Sequence, residues 1–309
     1  MGLRWLHLYP SRKYAMLSQT QIAEINHRPS DFLLLEILPA MKWKLPVTLN
    51  EAVGETINVC IVDCETTGLD AKLDEIIELG FVSMSVDISN GNIVNVERMG
   101  AYYNEPKAPI DDDITRITGI TDSDVKGHTI SMDIISSVFK GADLIVAHNA
   151  KFDRSFIDNH INALGYSALS IPWACSIKDV DWRTLGYESN ALGYLAFKQG
   201  YFFTAHRACE DCLATAFVLH TEKTALQRIL KAYNTPISDL RVNSRFAAKD
   251  ALKKLGCTWD SERRQWHKVI VGNQDEIDGE IKSLKTADSV GKISVDVLTC
   301  SPLTRYASE

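Results

Sequence analysis

The sequence predicts an α/β fold followed by a small α+β module, and three observations carry that reading. From residue 57 onward, strand-like apolar runs give way to alternating helix-like and strand-like segments, the order expected of an α/β protein. Asn234-Thr235-Pro236-Ile237-Ser238 then interrupts the pattern as a linker. Beyond it, Ala248, Ala251, Leu252 and Leu255 fall at i, i+3, i+4 and i+7 and describe one helical face.

Residues 1–53 form an N-terminal extension in which no chemistry is visible. A short amphipathic stretch over 17–25 leads to Arg28-Pro29-Ser30-Asp31, where Ser30 is placed to N-cap a helix over the apolar run 32–38. The expected role is packing against the main body, residues 54–233. That body opens with a strand from Ile57, then strands over 76–86 and 93–103 joined at the hairpin signal Ser89-Asn90-Gly91-Asn92. A helix over 132–139, a strand over 144–147 and a helix over 152–164 follow. A short connection starts at 173–176, and a last helix runs to about Thr221.

In the C-terminal module, residues 240–290, Gly256 stops the helix in the usual position. Cys257-Thr258-Trp259 and residues 265–271 read as short strands across the polar turn Asp260-Ser261-Glu262-Arg263. Residues 291–309 read as a tail. The pattern K-D-x-L-K-K-L-G-x-x-W-D-x-x-x-R-x-W, over residues 249–266, resembles a small module fused to DNA-processing enzymes. Trp259 and Trp266 are either its minimal core or, on a basic surface, aromatic faces on which bases stack.

The chemistry centres on Asp63-Cys64-Glu65-Thr66-Thr67-Gly68. Val59-Cys60-Ile61-Val62 runs straight into two carboxylates spaced i and i+2, which a strand places on one side of its pleat. Two carboxylates crowded at the end of a buried strand repel and lose hydration unless a cation lies between them, and a hard divalent ion takes oxygen ligands. A strand ending in a solvated acidic turn has the same spacing, so D-x-E alone does not decide. Two further stretches do. Leu144-Ile145-Val146-Ala147-His148-Asn149 ends a strand in a polar pair, with Asp153 in the first turn of the next helix. Downstream, His206-Arg207-Ala208-Cys209-Glu210-Asp211 puts a histidine just before a helix that carries Asp211.

D-x-E, H-N-A-x-F-D and H-x-A-x-x-D, in that order over about 150 residues, resemble the DEDDh (DnaQ-like) 3′–5′ exonucleases, among them the proofreading subunit of bacterial replicative polymerase. Asp74-Glu75-Ile76-Ile77-Glu78-Leu79-Gly80 resembles that family's second strand, and Ile117-Thr118-Gly119-Ile120-Thr121 its G-I-T turn. The match spans roughly residues 56–222. The resemblance implies a ribonuclease H-like mixed five-stranded sheet flanked by helices. It implies two divalent cations, Mg²⁺ or Mn²⁺, held by Asp63, Glu65, Asp153 and Asp211, with His206 as general base. It also implies that Thr66, Gly68 and Leu69 hold the terminal nucleotide, with His148 and Asn149 lining the same pocket. Leu69 is either an apolar wedge or a core residue.

The expected activity is hydrolysis of single-stranded DNA from its 3′ end to nucleoside 5′-monophosphates, of a proofreading or repair type, with a DNA polymerase or another replication protein as partner. A 3′–5′ exoribonuclease is the alternative, because the metal site attacks phosphate and is indifferent to a 2′-OH. A non-catalytic nucleic-acid-binding protein would have no need of His206. Every presumed metal ligand lies upstream of Pro236, so truncation there is expected to spare hydrolysis of very short oligonucleotides.

Composition sets the remaining expectations. A chain of 309 residues, 45% hydrophobic, has material for one core and a smaller module. No segment has the apolar length of a membrane span, and Met1-Gly2-Leu3-Arg4-Trp5-Leu6-His7 lacks both a signal-peptide core and a myristoylation pattern, so a cytoplasmic enzyme is expected. Seven cysteines suit reduced thiols, with Cys209-x-x-Cys212 read as packing inside a helix. The net charge is −7, yet residues 241–268 carry eight basic side chains against three acidic, a local +5 that leaves −12 elsewhere. Bound cations change the effective sign of part of that acidity.

Overall fold

A computed structural model describes residues 18–307 apart from 236, 262 and 288–291. Met1 to His7, Leu17, Pro236 of the linker and Glu262 of the polar turn therefore lie outside the described residues.

The chain begins with helix α1 (Gln19–His27) and reaches strands β1 (Glu36–Ile37) and β2 (Val47–Thr48). Three long strands follow, β3 (Thr56–Thr66), β4 (Ile76–Asp87) and β5 (Asn92–Tyr103). Helices α2 (Asp112–Thr118), α3 (Asp122–Val125) and α4 (Met132–Val138) lead to β6 (Leu144–Ala147), α5 (Ala150–Ala163) and β7 (Trp173–Cys175). Then come α6 (Leu192–Lys198), β8 (Tyr201–Phe202), α7 (Ala208–Thr221) and α8 (Lys223–Asn234). The C-terminal part holds β9 (Ile237–Asn243), α9 (Lys249–Lys254), β10 (Thr258–Asp260), β11 (Gln265–Val271), α10 (Gln274–Lys285) and β12 (Ser294–Cys300).

The main sheet has the order β2-β5-β4-β3-β6-β7. Strand β3 pairs antiparallel with β4 and parallel with β6, so the sheet is mixed. Strands β5-β4-β3-β6-β7 are the expected five-stranded ribonuclease H-like sheet, and two-residue β2 extends it at the β5 edge. Period-2 alternation divides β3 between two cores. Val59 and Ile61 face α7 and α8, whereas Cys60, Val62 and Cys64 face α4 and α5.

Two local expectations are corrected. The apolar run after Ser30 is not a helix: a 3₁₀ turn, Pro29–Asp31, precedes extended chain that ends in β1, parallel to β8. Leu38 and Ala40, at its end, are buried in the core beside α7, whereas Phe32, Leu33 and Leu34 stay exposed. At the other end, the second sheet has the order β10-β11-β9-β12 and takes in Ile237–Asn243 and Ser294–Cys300, on either side of the expected 240–290 bounds. Strand β12, expected as tail, pairs antiparallel with β9 along its length because β9 otherwise has an unpaired edge. Leu240, Val242, Leu252, Trp266, Ile277 and Leu284 form the module's separate core.

The six cysteines from Cys60 to Cys257 are free and buried. Cys209 and Cys212 lie on α7 and are buried in the core it covers, consistent with packing.

Candidate active site

Strand β3 fixes the first two site residues. Asp63 and Glu65 continue the Val59–Ile61 side of the pleat and so face α7, from whose first turn Asp211 projects. Carboxylate oxygens of Asp63, Glu65 and Asp211 lie within 4.8 Å of one another. Asp153 approaches from the opposite layer. It is buried in the first turn of α5, and its Oδ1 accepts from the Cys64 backbone N–H at 3.0 Å. The residue between the paired carboxylates thereby ties the fourth to them.

Register positions the far side of the site. Asp63 stands opposite Gly80 and Glu65 opposite Glu78 across the β3–β4 ladder. A Cβ on Gly80 would come within 2.3 Å of the Ala208 carbonyl carbon, so only glycine lets the start of α7 rest on β4. Glu78 is buried and holds that start in place. It accepts from the Ala208 N–H at 2.9 Å and pairs with Arg207 at 3.2 Å, while Arg207 also donates to Tyr103 Oη at 2.7 Å. Asp211 closes the turn by accepting from the Arg207 N–H at 3.0 Å. Sequence alone assigns no role to Glu78, Gly80 or Arg207. The signal is present only in the D-E-I-I-E-L-G match, because the Glu78–Arg207 pair joins residues 129 apart in sequence.

Electrostatics make the cluster costly without a cation. Burial, then repulsion from Asp153, Asp211 and Glu65, holds the Asp63 carboxyl well above its ordinary range. Burial pushes Glu65 to about 8, with Asp211 and Glu78 adding to it. Asp153 and Asp211 are raised chiefly by burial as well. Among the described residues, none of the four makes an ion pair with lysine or arginine, since Arg207 is engaged by Glu78. Crowded, partly to fully buried carboxylates without an ion-pair partner are the donor set that a hard divalent cation fits.

The remaining expected residues distribute around this centre. His206 lies exposed just before α7 in a left-handed conformation, φ 66°, outside the three-carboxylate group. Thr66 is buried, its hydroxyl donating to the Gly68 carbonyl at 2.5 Å. Leu69 is 88% exposed and is therefore no core residue. Asn149 is exposed at the N-terminus of α5. His148 has both ring nitrogens engaged, Nδ1 with Ser176 Oγ at 2.6 Å and Nε2 with the Asn190 carbonyl at 2.8 Å. Burial lowers its pKa to about 4, so a neutral His148 ties β6 to the loop before α6.

Residues 60–219 match the RNase T family, described as Exonuclease. The DNA polymerase III PolC-type of Listeria monocytogenes is 33% identical over 180 residues, covering 56% of this chain and 12% of that protein. The PolC-type polymerase of Mycoplasmopsis pulmonis is 32% identical over 206 residues, 62% of this chain and 13% of that protein. The chain thus spans about an eighth of the length of these curated relatives. Among solved structures, Exonuclease X in complex with 5′ overhanging duplex DNA aligns with a TM-score of 0.42 at 25% identity, covering 55% of this chain and 97% of that one. E. coli Exonuclease I in complex with a dA16 oligonucleotide aligns with a TM-score of 0.47 at 18% identity, over 61% and 48% of the two chains.

Proposed function

Because the chain belongs to the exonuclease family, we propose that it is a metal-dependent enzyme that removes nucleotides from the 3′ ends of single-stranded DNA. The observation that carries this reading is the carboxylate cluster. Asp63, Glu65 and Asp211 meet within 4.8 Å, and Asp153 is tied to them through Cys64, with no lysine or arginine ion-paired to any of the four among the described residues. Two divalent cations held there would activate a water and stabilise the departing 3′ oxygen.

The protein's own groups supply the rest. His206 accepts the proton of the attacking water, and its place on the loop before α7 gives the imidazole freedom to approach a bound strand. The turn after β3 receives the terminal nucleotide. Thr66 holds that turn through Gly68, and exposed Leu69 is positioned to wedge against the last base. His148 acts indirectly, by fixing the loop around Asn190 beside exposed Asn149. The product is a nucleoside 5′-monophosphate. The PolC-type relatives favour DNA as substrate and a replicative polymerase as partner.

End-labelled DNA and RNA oligonucleotides of one sequence, incubated with Mg²⁺, Mn²⁺ or EDTA, test this. Stepwise shortening of the DNA from its 3′ end, abolished by EDTA, is expected. Faster loss of the RNA would reassign the substrate, and shortening in EDTA would sink the metal mechanism.

A further inference from the structure

We propose that the C-terminal module binds single-stranded nucleic acid on one end of its sheet, through two exposed aromatic rings set among basic side chains. The register brings these groups together. Trp259 pairs across the strands with Trp266, and Trp266 with Val242, so the three occupy one row on the helix-covered face. Beyond that row, Asp260 stands opposite Gln265, whose amide donates to Asn243 Oδ1 at 2.8 Å. The strands β9, β10 and β11 therefore reach the same end of the sheet. The segment carrying Arg245 and Phe246 leaves from that end, and the turn carrying Arg264 lies there too, with Arg263 paired to Asp260 at 3.4 Å.

The two tryptophans divide the roles between them. Trp266 is 8% exposed and belongs to the core, whereas Trp259 stands edge-on to it at 5.4 Å and is 51% exposed. Phe246 is 84% exposed, with Lys249 Nζ 5.4 Å from its ring centre. An aromatic ring left in water has no packing role to explain it, and a lysine beside its face joins a stacking surface to a phosphate-binding charge. Exposed Lys253 lies one turn further along α9, on the side of Lys249. Arg241 and Lys268 do not belong to this surface, because ion pairs with Asp239 and Glu280 hold them within the module. Unpaired bases, unlike a duplex, offer their faces to such rings, and the local positive charge suits their phosphates. This surface deepens the nuclease reading, since it takes the same class of strand, but it stands on separate residues.

The test uses the full chain in EDTA, which prevents hydrolysis, and the fluorescence anisotropy of a labelled oligodeoxythymidylate longer than an ordinary stacking site of about 4–16 nucleotides. Phe246→Leu keeps an apolar side chain but removes the ring, and should weaken binding about 5- to 100-fold. Lys249→Glu with Lys253→Glu should weaken it too and flatten the log–log salt slope by about 0.7 for each phosphate no longer neutralised. Unfolding midpoints equal to wild type, and unchanged Mg²⁺-dependent cleavage of a dinucleotide, would place the effect on the surface rather than the active site. Wild-type affinity and salt slope in both variants would overturn the proposal and point to a protein partner. If the wild type binds the strand with this dependence on Phe246 yet cleaves nothing, the nuclease reading fails and the surface stands.

Discussion

Arg154 donates from Nη2 to the Leu303 carbonyl at 2.7 Å, joining residues 149 apart in sequence. Its guanidinium also donates to the Arg305 carbonyl, pairs with Asp158 at 3.1 Å and lies over the Trp173 ring. Arg305 in turn pairs with Asp179, and the Trp173 N–H donates to the Pro302 carbonyl at 3.2 Å. The segment after β12 therefore returns to the nuclease body and packs on α5, the helix that carries Asp153.

Arg154→Ala should accordingly destabilise the protein by about 3–5 kcal/mol, because it strands a buried carboxylate and two carbonyls. Denaturant unfolding checks this. The same hydrogen bonds argue against the expectation that truncation near Pro236 spares hydrolysis of very short oligonucleotides, since the cut removes Leu303 and Arg305 from beside α5. Removing residues 301–309 alone should lower both the unfolding midpoint and the cleavage of dinucleotides.

Metal-free protein should lose stability as pH rises from about 4 to 8. Carboxyls raised in the fold keep protons that the unfolded chain has released, so the native state binds more protons over that window and stability falls with pH. Glu65, raised to about 8, carries the loss that far, and Asp63, raised well above its ordinary range, adds to it. Mg²⁺ should restore more of the thermal midpoint at pH 8 than at pH 6. Asp63→Asn should flatten the apo profile and abolish most turnover. A flat wild-type profile, or full activity in the variant, would count against the cluster as a metal site.

Much of this site was legible because its parts obey local periods. Asp63 and Glu65 share a face by the two-residue period of a strand, and Asp153 and Asp211 open helices whose first turns the chain pattern already placed. What stayed hidden depends on long-range register. Glu78 reads as one more residue of a strand until β4 is set against α7, and the 291–309 segment reads as tail because β12 is recognisable only beside β9. The run after Ser30 misled because apolar residues without a clear period fit a helix or an extended segment equally well.

His206→Ala should reduce turnover by about 10²–10⁴-fold with little change in strand affinity, as expected for loss of a general base. A loss of strand affinity as large as the loss of turnover would instead give His206 a binding role.

Gly80→Ala tests the close approach that seats α7. The added methyl meets backbone, not a movable side chain, so the helix start must shift away from β4. Asp211 moves with it. We expect lower stability and a severe loss of activity, read from the unfolding midpoint and from metal-dependent nucleotide release. A normal metal response in this variant would show that the site tolerates that displacement.

The return of the chain to Arg154 gives the C-terminal module two attachments to the nuclease body instead of one. A module on a single linker samples a wide volume, and the local concentration of whatever it carries falls as the linker lengthens. Attachment at both ends narrows that volume. A strand held at Phe246 would stay with the nuclease body after each nucleotide leaves, so that successive cuts would fall on one molecule before it escapes.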